Sequence, residues 1–283
     1  MEVRSPLTGR RGVSLPFTDV CPPLDTETMP IADLLRQLTR LGKERRWNYW
    51  ECRGLKSLPP GVPPSVSFYG HVLDLAPGEK ALFDAFKSSV RTALRKSEQA
   101  GVKVETSATL EALQTFYSLH CQTRRKHGLP PQPFRFFRNL HRHILSKGLG
   151  HVVIARIRQT PIAANVFLHA GKKAIYKYGA SADSFQELRP SNLVMWHGIQ
   201  SCARAGCDSL HFGRTGRTAE GLRRFKLGWG CREERIHYLR YDLRQDACIP
   251  GADEAFAWQN SIMARMPLVL LRILGAALYP HIA

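Results

Sequence analysis

From Ile31 the apolar positions recur at helical spacing. Leu34, Leu35, Leu38 and Leu41 share one face while Arg36, Arg40 and Lys43 share another, which predicts a helix over about 31–45. Ahead of it "RRGVSLPF" reads as a strand, and the Pro-rich "VCPPLDTETMP" cannot sit inside a regular element. "RWNYWECRG" and "SVSFYGHVLDL" are rich in aromatic and β-branched residues and are separated by the breaker "SLPPGVPP", so both read as strands. From Pro77 one long helix is predicted, with Leu82, Phe86, Val90 and Leu94 on one stripe, Lys87, Arg91 and Arg95 on a second, and Gly101 as its C-cap. "TLEALQTFYSLHCQTRRKHG", with Leu110, Leu113, Phe116, Tyr117 and His120 inward, and "PFRFFRNLHRHILSKG" predict two more helices either side of the turn "LPPQP". "HVVIARIR", "IAANVFLHAG" and "AIYKYGASA" follow as an antiparallel meander, joined by "QTP" and "GKK". A helix opened by Pro190, Ser191 and Asn192 and closed by Gly206 precedes the short strand "CDSLHFG". The basic stretch "FGRTGRTAEGLRRFKLGWG" leads to a last strand, "ERIHYLRYDL".

Composition narrows the function class. A length of 283 residues suggests roughly two domains, and 43% hydrophobic residues are enough for a sizeable core. Lys and Arg number 41 against 23 acids, a net charge of +18, which points to polyanions: nucleic acid, phosphorylated substrates or an anionic membrane surface. The seven cysteines are scattered without zinc-ligand spacing and read as reduced thiols, with no metal site. "MEVRSPLTGRRGVSLPF" lacks the apolar run of an export signal. The tail "MPLVLLRILGAALYPHIA" is apolar but shorter than the ~20 residues of a membrane span, so it reads either as a docked helix or as a membrane-surface anchor over residues 266–283.

Four stretches carry a family resemblance: "VRTALRKSEQAGVKVE", "TRRKHGLPPQPFRFF", "YKYGASADSFQELRPSNLVMWHGIQ" and "RRFKLGWG". Over about residues 85–240 the chain resembles the FemAB family of non-ribosomal peptidyltransferases and its GNAT-like relatives of cell-envelope and exopolysaccharide loci. The predicted order of two helices, three antiparallel strands, helix, strand, helix and strand is also that of a GNAT acyltransferase. The resemblance implies a mixed α+β fold of tandem GNAT-like domains. These are a first domain over 1–105, lacking its usual opening elements, a second over 106–245, and a helical tail over 246–283. It further implies a cytoplasmic acyl- or aminoacyltransferase, peripheral to the inner face of the membrane. Its donor is an aminoacyl-tRNA or an acyl-CoA, and its acceptor is an amine of a phosphorylated cell-envelope precursor. The long coiled-coil arm of some Fem proteins has no counterpart, and the usual coenzyme A signature is not recognisable at "GASADSFQELRPSN".

Acyl transfer to an amine needs a base, donors for the oxyanion and a grip on charged substrates. Gly213 and Gly216 allow close approach of an anion, and Arg214, Arg217, Arg223, Arg224 and Lys226 surround it with charge. Lys226 matches the lysine that the resemblance places at the substrate site. Arg91, Arg95 and Lys96 form a second basic face, which the resemblance places at the domain junction, and Asn192, at the opening of its helix, is a further candidate for substrate binding. The resemblance makes Asp19, in the segment that is similar to the family's strand bordering the cleft, the first candidate base, ahead of Asp183 and Glu187. It makes Tyr178, at the strand end where GNAT proteins open their sheet, a candidate donor to the leaving group. Two alternatives remain beside the transferase: a catalytically inactive polyanion-binding relative, and a membrane-surface scaffold.

Overall fold

The computed structural model describes residues 1–24, 30–55, 58–250 and 257–281, with side chains left out for 257–260. Part of "VCPPLDTETMP" therefore lies outside the described residues. The first strands, β1 (Glu2–Ser5) and β2 (Gly9–Val13), form a hairpin, and α1 (Ile31–Glu44) matches the predicted helix. Next come β3 (Tyr49–Leu55) and β4 (Val66–Asp74), then α2 (Glu79–Ala85) and α3 (Ser88–Gln99).

The single helix expected from Pro77 is thus two. Phe86 and Lys87 are both extended, and Phe86 wedges its ring edge-on between Trp196 and Trp229, with centroids 5.2 and 5.0 Å away. Arg91 caps the interruption, donating to the carbonyls of Asp84 (2.8 Å) and Phe86 (2.6 Å). The stripe of Leu82, Phe86, Val90 and Leu94 survives the break because all four residues are buried in one core.

The chain continues through β5 (Lys103–Ser107), α4 (Leu110–Lys126), α5 (Phe134–His143), β6 (Gly150–Ile157), β7 (Thr160–Ala170) and β8 (Lys173–Ser181). Then come α6 (Pro190–Arg204), β9 (Ser209–Thr215), α7 (Glu220–Leu227), β10 (Arg232–Asp242), β11 (Ala247–Cys248), α8 (Ala257–Arg265) and α9 (Leu268–Leu278). Among the described residues the strands join in one sheet of order β1-β2-β3-β10-β4-β9-β8-β7-β6-β5, with β11 on β10. Among the described residues only β2–β3 and β8–β9 pair in parallel.

Helices cover both faces of the meander, which explains its near-continuous apolar sequence. Val153, Ala155 and Phe167 face α3 and α6, while Val152, Ile154 and Val166 face α4 and α5. Gly198 permits the close seat of α6, since a Cβ there would meet the Phe167 ring at 2.1 Å. β10 crosses back between β3 and β4 and so ties the end of the chain to its beginning. No helix among the described residues is long and apolar enough to cross a membrane.

Candidate active site

The sheet parts between β8 and β9. They pair only at Lys173–Ser209, Ala174–Leu210 and Ile175–His211, and each strand carries a bulge where the pairing ends. On β8 Lys177 is the extra residue opposite Val166 and Phe167. On β9 the extra residue falls in the stretch between His211 and Arg214, opposite Gly70–Val72. Such bulges re-aim side chains and leave ladder groups unpaired.

Gly213 takes a left-handed φ of +72°, which the β9 bulge requires. Lys226 supplies the missing partners. Its side chain runs from α7 into the interior, is 2% exposed, and donates to the carbonyls of Gly213 (3.0 Å) and Arg214 (3.1 Å). Burial pushes its pKa down to about 8, against the pull of the Asp19 charge. Beneath it His71 is wholly buried and pushed down to about 4 by burial and then by the charge of Lys226. His211 accepts from the Gly213 N–H through Nδ1 (2.9 Å), which places the proton of the neutral ring on Nε2.

Asp19 arrives from the far end of the chain on an irregular segment pinned on several sides. Tyr238 donates to its carbonyl (2.6 Å), Lys177 donates to the carbonyl of Phe17 (2.7 Å), and Cys21 N–H donates to Arg53 (2.9 Å). Its carboxylate lies 3.7 Å from Arg214 Nε and covers Gly213, where a Cβ would approach Asp19 Oδ2 to 3.0 Å. Gly213 therefore underlies the carboxylate instead of opening space for an anion, as its sequence neighbourhood had suggested. Tyr178 lies on the other side of the parting, its ring among Phe116, His120, Phe136 and Phe137. Burial, and then the charges of Tyr279 and Asp19, raise its pKa and keep the phenol protonated. Asp19, Tyr178 and Lys226, from three distant parts of the sequence, are thus arranged around the place where β8 and β9 separate, with the Asp19 charge acting on both of the others.

The predicted cations do not share one pocket. Arg224 lines a cleft of about 620 Å³ on the outer side of α7, together with Ser88, Thr92 and Lys96 of α3 and with Arg189 and Asn192 at the start of α6. Lys96, Arg189 and Arg224 bring three positive charges there, and no acid lines it. Both α3 and α6 begin at this cleft, which adds their dipoles to its positive potential. Arg223 points away, paired with Glu233 through two bonds of 2.6 and 2.7 Å and lying 4.3 Å from the Tyr69 ring centroid. Arg214 lies over the Phe68 ring at 4.4 Å, Arg91 caps α2, and Arg95 and Arg217 are exposed. Asp183 is paired with Lys126 at the surface (2.7 Å), and Glu187 is exposed. Arg189 and Lys177 are site residues that sequence reasoning missed. The only signal for Arg189 was a cation directly before the Pro190 that starts a helix, and a bulge such as that at Lys177 leaves no sequence signal.

A parted sheet with a carboxylate, a phenol and a buried ammonium around it, together with a basic cleft at two helix starts, makes up the candidate site. The chain belongs to the acetyltransferase (GNAT) domain family, whose model matches residues 84–230. Its fold is of the FemAB type. It is similar to the crystal structure of FemX, with a TM-score of 0.62 at 15% identity over 86% of this chain and 84% of that one. It is also similar to the C-terminal domain of a putative lysylphosphatidylglycerol synthetase from Agrobacterium fabrum (0.54, 15%, 87% and 77%). A tandem GNAT protein from the clavulanic acid pathway is a third likeness (0.50, 10%, 80% and 76%). No curated protein matches the chain in sequence.

Proposed function

We propose that this protein transfers an acyl or aminoacyl group from a phosphate-bearing donor, an acyl-CoA or an aminoacyl-tRNA, to an amine of a cell-envelope precursor at the inner face of the membrane. The observation that carries this reading is the placement of Asp19, Tyr178 and Lys226 around the parting of β8 and β9. The acid-free cleft formed by Lys96, Arg189 and Arg224 supports a phosphate-bearing donor, and the likeness to FemX supports the precursor. The domain limits 1–105 and 106–245, with the tail 246–283, belong to the same proposal.

In this mechanism Asp19 takes the proton of the acceptor ammonium. The freed amine attacks the acyl carbon, a C–N bond forms, the C–S or C–O bond to the carrier breaks, and the nitrogen releases its second proton to solvent to leave the neutral amide. The departing sulfur or oxygen takes its proton from Tyr178, and the proton held on Asp19 restores the phenol through solvent. Lys226 holds the β9 bulge in shape and directs positive potential at the developing oxyanion.

The test is transfer of a radiolabelled group from acyl-CoA or aminoacyl-tRNA to a nucleotide-linked peptide precursor. Asp19→Asn is expected to lower kcat at least ~100-fold, within the range of a lost general base. Arg189→Ala with Arg224→Ala is expected to raise the donor KM about tenfold or more while the melting temperature holds. Unchanged kcat in Asp19→Asn removes Asp19 from the chemistry. Tight donor binding without turnover in the unaltered protein assigns the cleft to the polyanion-binding reading instead.

A further inference from the structure

Helix α9 is apolar all round except for Arg272, and its two sides have different fates. Leu271 and Gly275 are buried against the rest of the molecule, Gly275 so closely that a Cβ would strike the Pro131 carbonyl at 2.1 Å. The opposite side is a continuous stripe at i, i+1, i+4, i+7 and i+8: Val269 (66% exposed), Leu270 (54%), Ile273 (62%), Ala276 and Ala277. Ile262 on α8 is also exposed, at 58%. A cavity of about 390 Å³ opens along this stripe between Val269, Ile273 and Ala276 of α9 and Tyr117 and Phe134, with Arg272 also in its wall, over the Tyr117 ring. Soluble surfaces rarely leave such a patch contiguous.

We infer that this face of α9 docks on an anionic lipid bilayer, with the stripe at the level of the acyl chains and the surrounding cations among the headgroups. Charge selects this occupant. Arg265 and Arg272 flank the stripe, and α5, whose first turn meets α9 at the cavity, exposes Arg135, Arg138 and Arg142 at i, i+3 and i+7. A net charge of +18 draws the molecule to an anionic surface and opposes a second copy of the chain on the same face. The helix is too short to span and has the form of an interfacial anchor. Its attachment is firm. Past α9, Tyr279 stacks on Phe17 (4.5 Å, 13°), two residues from Asp19, and the carbonyl of His281 accepts from the buried Arg11 (2.9 Å). A docked α9 therefore brings the Asp19 segment close to the lipid surface, where a lipid-linked acceptor amine is within reach. Docking is separable from catalysis, since flotation reads α9 and transfer to a water-soluble acceptor reads the site.

The experiment is flotation of the full chain with vesicles of phosphatidylcholine alone or mixed with phosphatidylglycerol. The expected result is flotation with the phosphatidylglycerol vesicles, reduced about tenfold or more by Val269→Ser, Leu270→Ser and Ile273→Ser together. These exposed substitutions keep the net charge, and an unchanged thermal melt establishes that the fold is intact. Equal flotation of the triple variant reduces the binding to non-specific electrostatics and overturns the inference, as does failure of the unaltered chain to float. A concentration-dependent dimer that the triple variant abolishes, with no vesicle binding, assigns the stripe to a second copy and likewise overturns it.

Discussion

At the scale of single residues, the site depends on one glycine and one lysine. Gly213 combines a positive φ with a carboxylate over its α-carbon, so Gly213→Ala meets both backbone strain and the Asp19 side chain. A loss of about 1–3 kcal/mol in urea unfolding is expected, together with loss of transfer activity. Lys226 gives a prediction whose sign follows from its pKa. Its folded value of about 8 lies below the 10.5 of the free side chain. Below pH 8 both states hold the proton, and the folded state bears the cost of burying it. Between pH 8 and 10.5 only the unfolded chain keeps the proton, so this group makes stability rise with pH. Relative to Lys226→Met, which has no proton to release, the unaltered protein is expected to gain up to roughly 3 kcal/mol across that window. Urea titrations at pH 7 and 9.5 read the difference, and parallel curves would place the ammonium in a wetter setting. The variant should also be less stable at neutral pH, because the carbonyls of Gly213 and Arg214 lose their donor.

At the scale of elements, the basic cleft exists because three helices are held at fixed offsets. Lys87 N–H donates to the carbonyl of Gly228 (3.0 Å), tying the start of α3 to the end of α7. Gly228 lets the two helices touch, since a Cβ would lie 2.9 Å from Val90 Cγ2. The break between α2 and α3 aims α3 at this cleft, and Phe86, 2% exposed, is its wedge. Phe86→Ala is expected to cost about 3–5 kcal/mol in thermal or chemical unfolding. It should also weaken donor binding, although Phe86 is not among the residues lining the cleft. The period-3.6 stripe that predicted one helix could not reveal this, because each residue keeps its face across the two extended positions. β5 escaped prediction for the opposite reason: "KVETS" is an edge strand with one apolar residue, and its pairing to β6 replaces any pattern of its own.

At the scale of the whole molecule, the two ends of the chain close on each other. Arg11, 3% exposed, donates to Thr8 Oγ1 and the His281 carbonyl, and Ser5 Oγ meets His281 Nδ1 at 3.1 Å. Arg11→Met should release this clasp. The expected cost is about 1.5–3 kcal/mol, with faster proteolysis of the tail after α9 as the second readout. Unaltered cleavage would show that packing of Leu271 and Gly275 alone holds the tail. The same closure carries the Phe17–Asp19 segment across the sheet to β8 and β9, so the site draws on both halves of the molecule.

What the sequence by itself determined is most of the elements and their family. Periods of 3.6 and 2, Gly and Pro punctuation and aromatic strands placed α1, the meander, α6 and β10, and motifs spread over residues 85–240 pointed to a GNAT-like acyltransferase. Lys226 was singled out through the motif "RRFKLGWG" and Asp19 through the separate segment "PFTDVCPPL", because residue type and local context survive without coordinates. Tertiary structure decided which way each charge faces. The basic run Arg223, Arg224 and Lys226 is continuous in sequence, yet helical rotation of about 100° per residue sends one to Glu233, one to the cleft and one into the core. Bulges at Lys177 and Gly213 likewise arise from strands diverging against their neighbours, a property of pairing across the sheet that no local stretch of chain encodes.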